Sequence, residues 1–148
     1  MLSYQHIYHA GNLADVHKPG LLAWILADLT QKDKPLSNIE THAGRAFYDL
    51  NDAAALKTGE AAQGIEKAAG FLGPDHPYTR MLDQVRAQHG PTAYPGSPLL
   101  AAQLLRAGDA LNFAALHPGE HAALGFALSA FRAKCYLQDG FALAHSLI

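Results

Sequence analysis

A chain of 148 residues, 49% hydrophobic and 16% charged, has the length of a single domain with one core and leaves no room for a second full domain. Eleven basic against thirteen acidic residues give a formal net charge of −2, which excludes an overall electrostatic footprint for nucleic acid, so any RNA contact has to be local. The one cysteine, Cys135, excludes an internal disulfide framework and a multi-cysteine metal site, and is expected to be a buried, inert thiol.

The N-terminal Met1-Leu2-Ser3-Tyr4-Gln5-His6 lacks the basic-then-apolar layout of a signal peptide, and no run reaches the ~18 apolar residues of a membrane span; a cytoplasmic protein with no membrane partner is expected. Ser3 to Lys18 is dense in polar and aromatic residues and shows no packing face. Asn12 is placed to cap a short helix from Leu13, which Pro19-Gly20 should interrupt. Beyond that break Leu21, Leu22, Ile25, Leu26 and Leu29 recur on one helical face, broadened by Trp24, and predict a core-facing helix. Leu36 to Glu40 reads as a short strand ending in an acid.

The loop that follows, Thr41-His42-Ala43-Gly44-Arg45-Ala46, lacks large apolar side chains, so its backbone N–H groups can approach a ligand. With one glycine it falls short of the G-x-G-x-x-G fingerprint. Ala53 to Leu72 predicts one or two alanine-rich helices broken near Thr58-Gly59, and Asp75 or His76 should cap another with Pro77 in its first turn and Met81, Leu82 and Val85 on its apolar side. Ser97-Pro98 reads as N-cap and first turn of a helix over Leu99 to Arg106, stopped at Gly108. Ala110 to Leu116 and Ala133 to Gln138 are the second and third strands, with a helix from Glu120 to about Ala130 between them and another beginning at Phe141. Three strands each followed by a turn and a helix predict a parallel α/β architecture with a helical insert, residues 51–93, between the first two strands. In such sheets ligands sit beyond the strand ends, here Glu40 to Ala46, Ala115 to Pro118 and Asp139-Gly140.

Two patterns invite a catalytic reading and fail on geometry. His117-Pro118-Gly119-Glu120-His121 has the H-x-x-E-H order of inverted zinc peptidases, but Pro118-Gly119 breaks the continuous helix that would put both histidines on one face, so no metal is expected. Tyr94-Pro95-Gly96-Ser97-Pro98 lacks the second glycine of a serine-hydrolase elbow. His6 and His9 have no cysteine nearby and read as an exposed polar face.

The opening Met1-Leu2-Ser3-Tyr4-Gln5-His6-Ile7-Tyr8-His9-Ala10-Gly11-Asn12-Leu13-Ala14-Asp15-Val16 resembles the start of the RlmJ family. The likeness continues in register through Lys32-Asp33-Lys34-Pro35, Thr41-His42-Ala43-Gly44, Thr58-Gly59-Glu60, Tyr94-Pro95-Gly96-Ser97-Pro98, Leu116-His117-Pro118 and Asp139-Gly140-Phe141. The resemblance implies an incomplete Rossmann-like class I methyltransferase fold with three parallel strands. It also implies an enzyme that transfers methyl from S-adenosylmethionine (SAM) to the exocyclic N6 of an adenine in 23S rRNA, with no DNA partner. It covers about the first half of a family member, and the family's catalytic Asp-Pro-Pro-Tyr does not occur in these 148 residues, so no catalytic residue is assigned.

Position by position, Lys18, His42 and Ser97 match SAM-contacting positions, Asp139 with Gly140 matches the acid near the adenine ring, and Tyr4 matches a position associated with the RNA. Three positions depart from the family. Pro19 replaces a histidine that contacts the ligand, Ala46 a loop glycine, and Ala115 the acid that grips both ribose hydroxyls. The resemblance therefore implies impaired cofactor binding and self-association through an open first-strand edge. The alternative is a non-enzymatic RNA- or protein-binding remnant of the fold.

Overall fold

The computed structural model describes residues 5–68 and 70–148; Tyr4, and with it the expected RNA contact, lies outside them. In chain order a 3-10 turn (His6–Tyr8) is followed by α1 (Leu13–Leu29), β1 (Ser37–Glu40), β2 (Phe47–Asp49), α2 (Ala53–Thr58), α3 (Glu60–Gln63), α4 (Ile65–Ala68) and α5 (Pro77–His89). Then come β3 (Ala93–Pro95), α6 (Ser97–Leu104), β4 (Ala110–Ala114), α7 (Pro118–Ala127), β5 (Ala133–Tyr136) and α8 (Gly140–Leu147).

The three expected strands form one parallel sheet in the order β1-β4-β5, with Glu40 opposite Phe113 and Ala114 opposite Tyr136. Phe113 is fully buried, and Leu26, Val85, Leu99, Leu124 and Leu128 pack in the same core. Among the described residues the outer edge of β1 pairs with nothing. Cys135 on β5 is half-buried rather than buried, and its partial burial pushes the thiol pKa up. A second, antiparallel pair, β2 with β3, brings Tyr48 opposite Tyr94. Neither stretch reads as a strand, because each has only three residues and β3 ends in Pro95.

The expected break at Pro19-Gly20 is absent: α1 runs unbroken from its Asn12 cap, whose side chain accepts from the Asp15 N–H at 3.0 Å. A proline inside a helix orphans the carbonyl four residues back. That carbonyl, on Asp15, accepts instead from the Tyr94 hydroxyl at 3.2 Å, so the helix continues at little cost. The expected core face is also rotated. Val16, Pro19, Gly20, Ala23 and Leu26 are buried, whereas Leu21, Ile25 and especially Trp24, at 58% exposure, face outward. Small residues let α1 approach its neighbours: a Cβ on Gly20 would lie 3.0 Å from Leu72 Cδ1.

Across residues 53–68 the helices break at Gly59, as expected, and again at Gly64, where a Cβ would lie 2.1 Å from the Gly11 carbonyl oxygen. His76 caps α5 by accepting from the Tyr78 N–H at 3.2 Å, and Met81, Leu82 and Val85 are buried as the periodicity requires. Helix α6 ends at Leu104, short of Gly108, because Arg106 and Asp109 close a compact turn there. The Arg106 guanidinium also donates to the carbonyls of Thr30, Lys32 and Lys34, while Asp109 accepts from the Leu36 N–H at 2.8 Å. This clamp sets the entry into β1.

Candidate functional site

Parallel strands all end on the same side, so the three loops after β1, β4 and β5 share one sheet edge. There they enclose a cleft of about 820 Å³ together with α1 and the β3–α6 turn, within the size of a small-molecule site. Lys18, His42, Ser97, Asp139 and Gly140 all line it, and so does Ala115. The three strand ends singled out by sequence therefore meet at one place.

The loop after β1 carries the geometry. Gly44 has φ +65° and a Cβ there would sit 2.6 Å from the Tyr48 hydroxyl, so both conformation and space require glycine. Ala46 has φ +67°, in the left-handed region that favours glycine, and its methyl is fully buried. Backbone bonds from Ala43 N–H to Ala114 O (2.9 Å) and from Gly96 N–H to Ala46 O (2.7 Å) tie the loop to β4 and to the start of α6. His42 projects from it, bonded to the Thr41 hydroxyl oxygen at 2.9 Å and edge-on to Phe141 at 5.3 Å.

Asp139 caps α8, accepting from the Ala142 N–H at 2.8 Å. Gly140 is buried because the Thr41 backbone presses against it: a Cβ would lie 1.9 Å from the Thr41 carbonyl oxygen. Ser97 does not cap α6. Gly96 is the cap residue, and the Ser97 hydroxyl donates to Glu40 Oε2 at 2.7 Å. The Ser-Pro pair mimics a cap, but the helix begins one residue earlier than that pattern predicts. His117, the first residue of the zinc-like pattern, turns its Nδ1 inward to accept from Gly119 and Glu120 N–H and so caps α7, which starts at Pro118 rather than at Glu120. Among the described residues no group of three or more His, Cys, Asp or Glu is placed to hold a metal ion.

Asp15, Arg45, Tyr48 and Glu120 also line or brace the cleft without having been selected from the sequence as ligand residues; of their side-chain hydrogen bonds among the described residues, only the Arg45–Glu120 pair joins partners distant in sequence. Asp15 accepts from His6 Nε2 at 2.8 Å and from the Gly11 N–H at 2.9 Å. Arg45 pairs with Glu120, which raises the guanidinium pKa further.

Glu40 is the electrostatic centre of the cleft wall. Burial pushes its carboxyl pKa up to about 7, against the opposing hydrogen bonds from Ser97 and, at 3.5 Å, Asn38. Because the folded value lies above the ordinary 4.5, the fold holds a proton that the unfolded chain has released; stability falls as pH rises from about 4.5 to about 7 and stays lower above that. The loss is on the order of 3 kcal/mol. Urea unfolding at about pH 5 and about pH 8 is expected to show this drop in the native chain and not in Glu40→Gln; identical pH profiles would remove Glu40 from the account.

With this geometry in hand, the comparisons with known proteins are specific. A family model described as "Ribosomal RNA large subunit methyltransferase D, RlmJ" matches residues 33–148. The ribosomal RNA large subunit methyltransferase J of Escherichia coli is 37% identical over 147 residues, 95% of this chain and 52% of that protein. The protein of the same name from Haemophilus influenzae is 37% identical over 125 residues, 82% of this chain and 44% of that protein. The crystal structure of protein LPL1258 from Legionella pneumophila, assigned to family DUF519, superposes with a TM-score of 0.76 at 36% identity, covering 95% of this chain and 53% of that one. The chain thus spans about half the length of the relatives it matches.

Proposed function

The chain belongs to the RlmJ family, and from that premise we propose that its cleft is the SAM pocket of a 23S rRNA (adenine-N6)-methyltransferase acting in the cytoplasm. The observation that carries this reading is the convergence of Lys18, His42, Ser97, Asp139 and Gly140 on one cleft beyond the ends of three parallel strands.

The charge of the cleft fits the same ligand. Asp15 and Asp139 line it as carboxylates, with Glu40 partly protonated near neutral pH and Glu120 paired to Arg45, against Lys18 as the one lysine or arginine of the lining among the described residues. Such a site favours a molecule carrying a sulfonium and an ammonium over a polyanionic phosphate backbone. Asp139 accepts hydrogen bonds at the adenine end, with Gly140 keeping the floor free of a side chain. The glycine of the 41–46 loop lets the backbone approach, and Lys18 supplies the cation that a carboxylate needs. Bound there, SAM supplies an electrophilic methyl group. Ala115 offers no acceptor for the ribose, so binding is impaired.

No Asp-Pro-Pro-Tyr occurs in the 148 residues, so nothing here holds a target amino group with its lone pair toward the methyl. We place that function outside this stretch of chain. Incubating the 148-residue protein with methyl-labelled SAM and 23S rRNA is expected to give no transfer above background; robust transfer would overturn the assignment of catalysis to residues beyond it. Segment 51–93 is proposed as the helical insert of the methyltransferase domain, with exposed Phe71 available for base stacking and Tyr4 as a further RNA contact. The open β1 edge and, separately, the outward Leu21, Trp24 and Ile25 of α1 are proposed to promote self-association, and a monomer at high concentration by light scattering would count against that.

A further inference from the structure

The pattern His117-Pro118-Gly119-Glu120-His121 has no metal to hold, yet its glutamate reaches the ligand loop. Arg45 sits between two residues in the left-handed region, Gly44 at φ +65° and Ala46 at φ +67°. A loop with that alternation has no repeating hydrogen-bond pattern of its own, so its shape must be held from outside. Its backbone ties to the rest of the fold act on Ala43 and Ala46; at Arg45 itself the carbonyl accepts from the nearby Phe47 N–H at 2.8 Å, and the N–H makes only a long contact, 3.4 Å, to the Tyr48 hydroxyl. The Arg45 side chain supplies the remaining tie: Nη2 and Nε lie 2.5 and 3.1 Å from the same oxygen, Oε1 of Glu120.

Glu120 is anchored well enough to act as a fixed post. It is 4% exposed and lies in the first turn of α7, a turn capped by His117, whose Nε2 in turn lies 3.1 Å from Gln5 Nε2. Because both guanidinium nitrogens meet Oε1, Oε2 is buried with no partner, 4.0 Å from where a Gly44 Cβ would be. A buried carboxylate with one unsatisfied oxygen is costly to leave unpaired, so the fold penalises any loop position that withdraws Arg45.

We infer that Arg45 and Glu120 are positioning residues, a buried latch between the 41–46 loop and α7 that sets the loop in its ligand-receiving shape. The inference rests on the SAM reading for the identity of the ligand but not for the existence of the latch. With the latch closed, His42 stays against Phe141 and the Gly44 backbone stays at the cleft wall. Without it, the two left-handed residues are free to flip, and the cleft loses its shape while the sheet beneath is untouched.

The test uses R45L/E120L, which removes both charges together and leaves no unpaired buried ion. Amide hydrogen exchange over residues 42–48 is expected to speed up at least about tenfold, with exchange in β4 and the thermal midpoint nearly unchanged. SAM affinity by calorimetry should fall at least about tenfold, and R45K, which keeps the charge on a single donor nitrogen without the guanidinium fork, should lie between. A pair that merely adds stability would lower the midpoint and speed exchange everywhere. Unchanged loop exchange, or unchanged SAM affinity, in the folded double variant would overturn the latch. If the double variant does not fold, R45K decides by the same two readouts. If the native chain shows no SAM binding at all, the pocket reading fails and the exchange result alone judges the latch.

Discussion

Replacing Ala115 with glutamate is expected to tighten SAM binding roughly ten- to a hundredfold, the largest gain any single substitution in this cleft should give. Ala115 follows β4 directly, is buried, lines the cleft, and is fixed by its N–H donating to Tyr136 O at 3.0 Å. A carboxylate there would accept two hydrogen bonds from vicinal hydroxyls, each charge-assisted and shielded from water. The range follows from about 1.5–3 kcal/mol for hydrogen bonding to a charged group. The free protein should lose some stability, since the new charge joins Glu40 and Asp139 around the same cleft. Ala115→Gln, neutral but of similar shape, should recover only part of the gain. Calorimetry on the two variants checks this, and a folded Ala115→Glu chain with native-like SAM affinity would remove position 115 from the ligand site.

Gly140→Ala is expected to cost about 3 kcal/mol or more, and to take the cleft apart. The added Cβ would lie 1.9 Å from the Thr41 carbonyl oxygen, 2.4 Å from its Cα and 2.5 Å from its carbonyl carbon. All three are backbone atoms, so no rotamer change relieves the overlap. Thr41 cannot retreat easily, because Ala43 two residues later is bonded to β4. Helix α8 must move instead, carrying Asp139 away from the 41–46 loop and Phe141 away from His42. Urea unfolding gives the stability change, and a variant within about 1 kcal/mol of the native chain would mean that α8 and the loop are not in the contact described.

These two positions also mark how far the sequence could be read. β4 and β5 were legible because each is a mostly apolar run closed by a turn and followed by a helix; β1, Ser37-Asn38-Ile39-Glu40, is weaker and is followed by β2, and Lys18 and Ser97, on α1 and α6, were reached through the family resemblance rather than from the strand ends. What was not legible depends on partners far along the chain. Pro19 reads as a helix break by every local rule; the Tyr94 hydroxyl that satisfies the Asp15 carbonyl is 79 positions away from it. Ser97 reads as a cap because it precedes proline, and only the folded chain shows its hydroxyl donating to Glu40. Trp24 and its neighbours read as a core face because periodicity reports a stripe without saying which helices cover it; the small residues Gly20 and Ala23 won that contact. Arg45 and Glu120, 75 positions apart, carry no local signal at all. The conformation of Ala46 was not legible: only the folded chain shows its left-handed φ, a conformation that favours glycine.

The central claim is that this cleft receives SAM, and mapping the amide and imidazole NMR shifts of the isotope-labelled chain during a SAM titration tests it most directly. Concentration-dependent shifts are expected at His42, Gly44, Ser97 and Gly140, weak in the native chain and saturating at lower concentration in Ala115→Glu, with α2 and α5 unaffected. Spectra that do not change in either protein, or changes confined to residues outside the cleft, would contradict it.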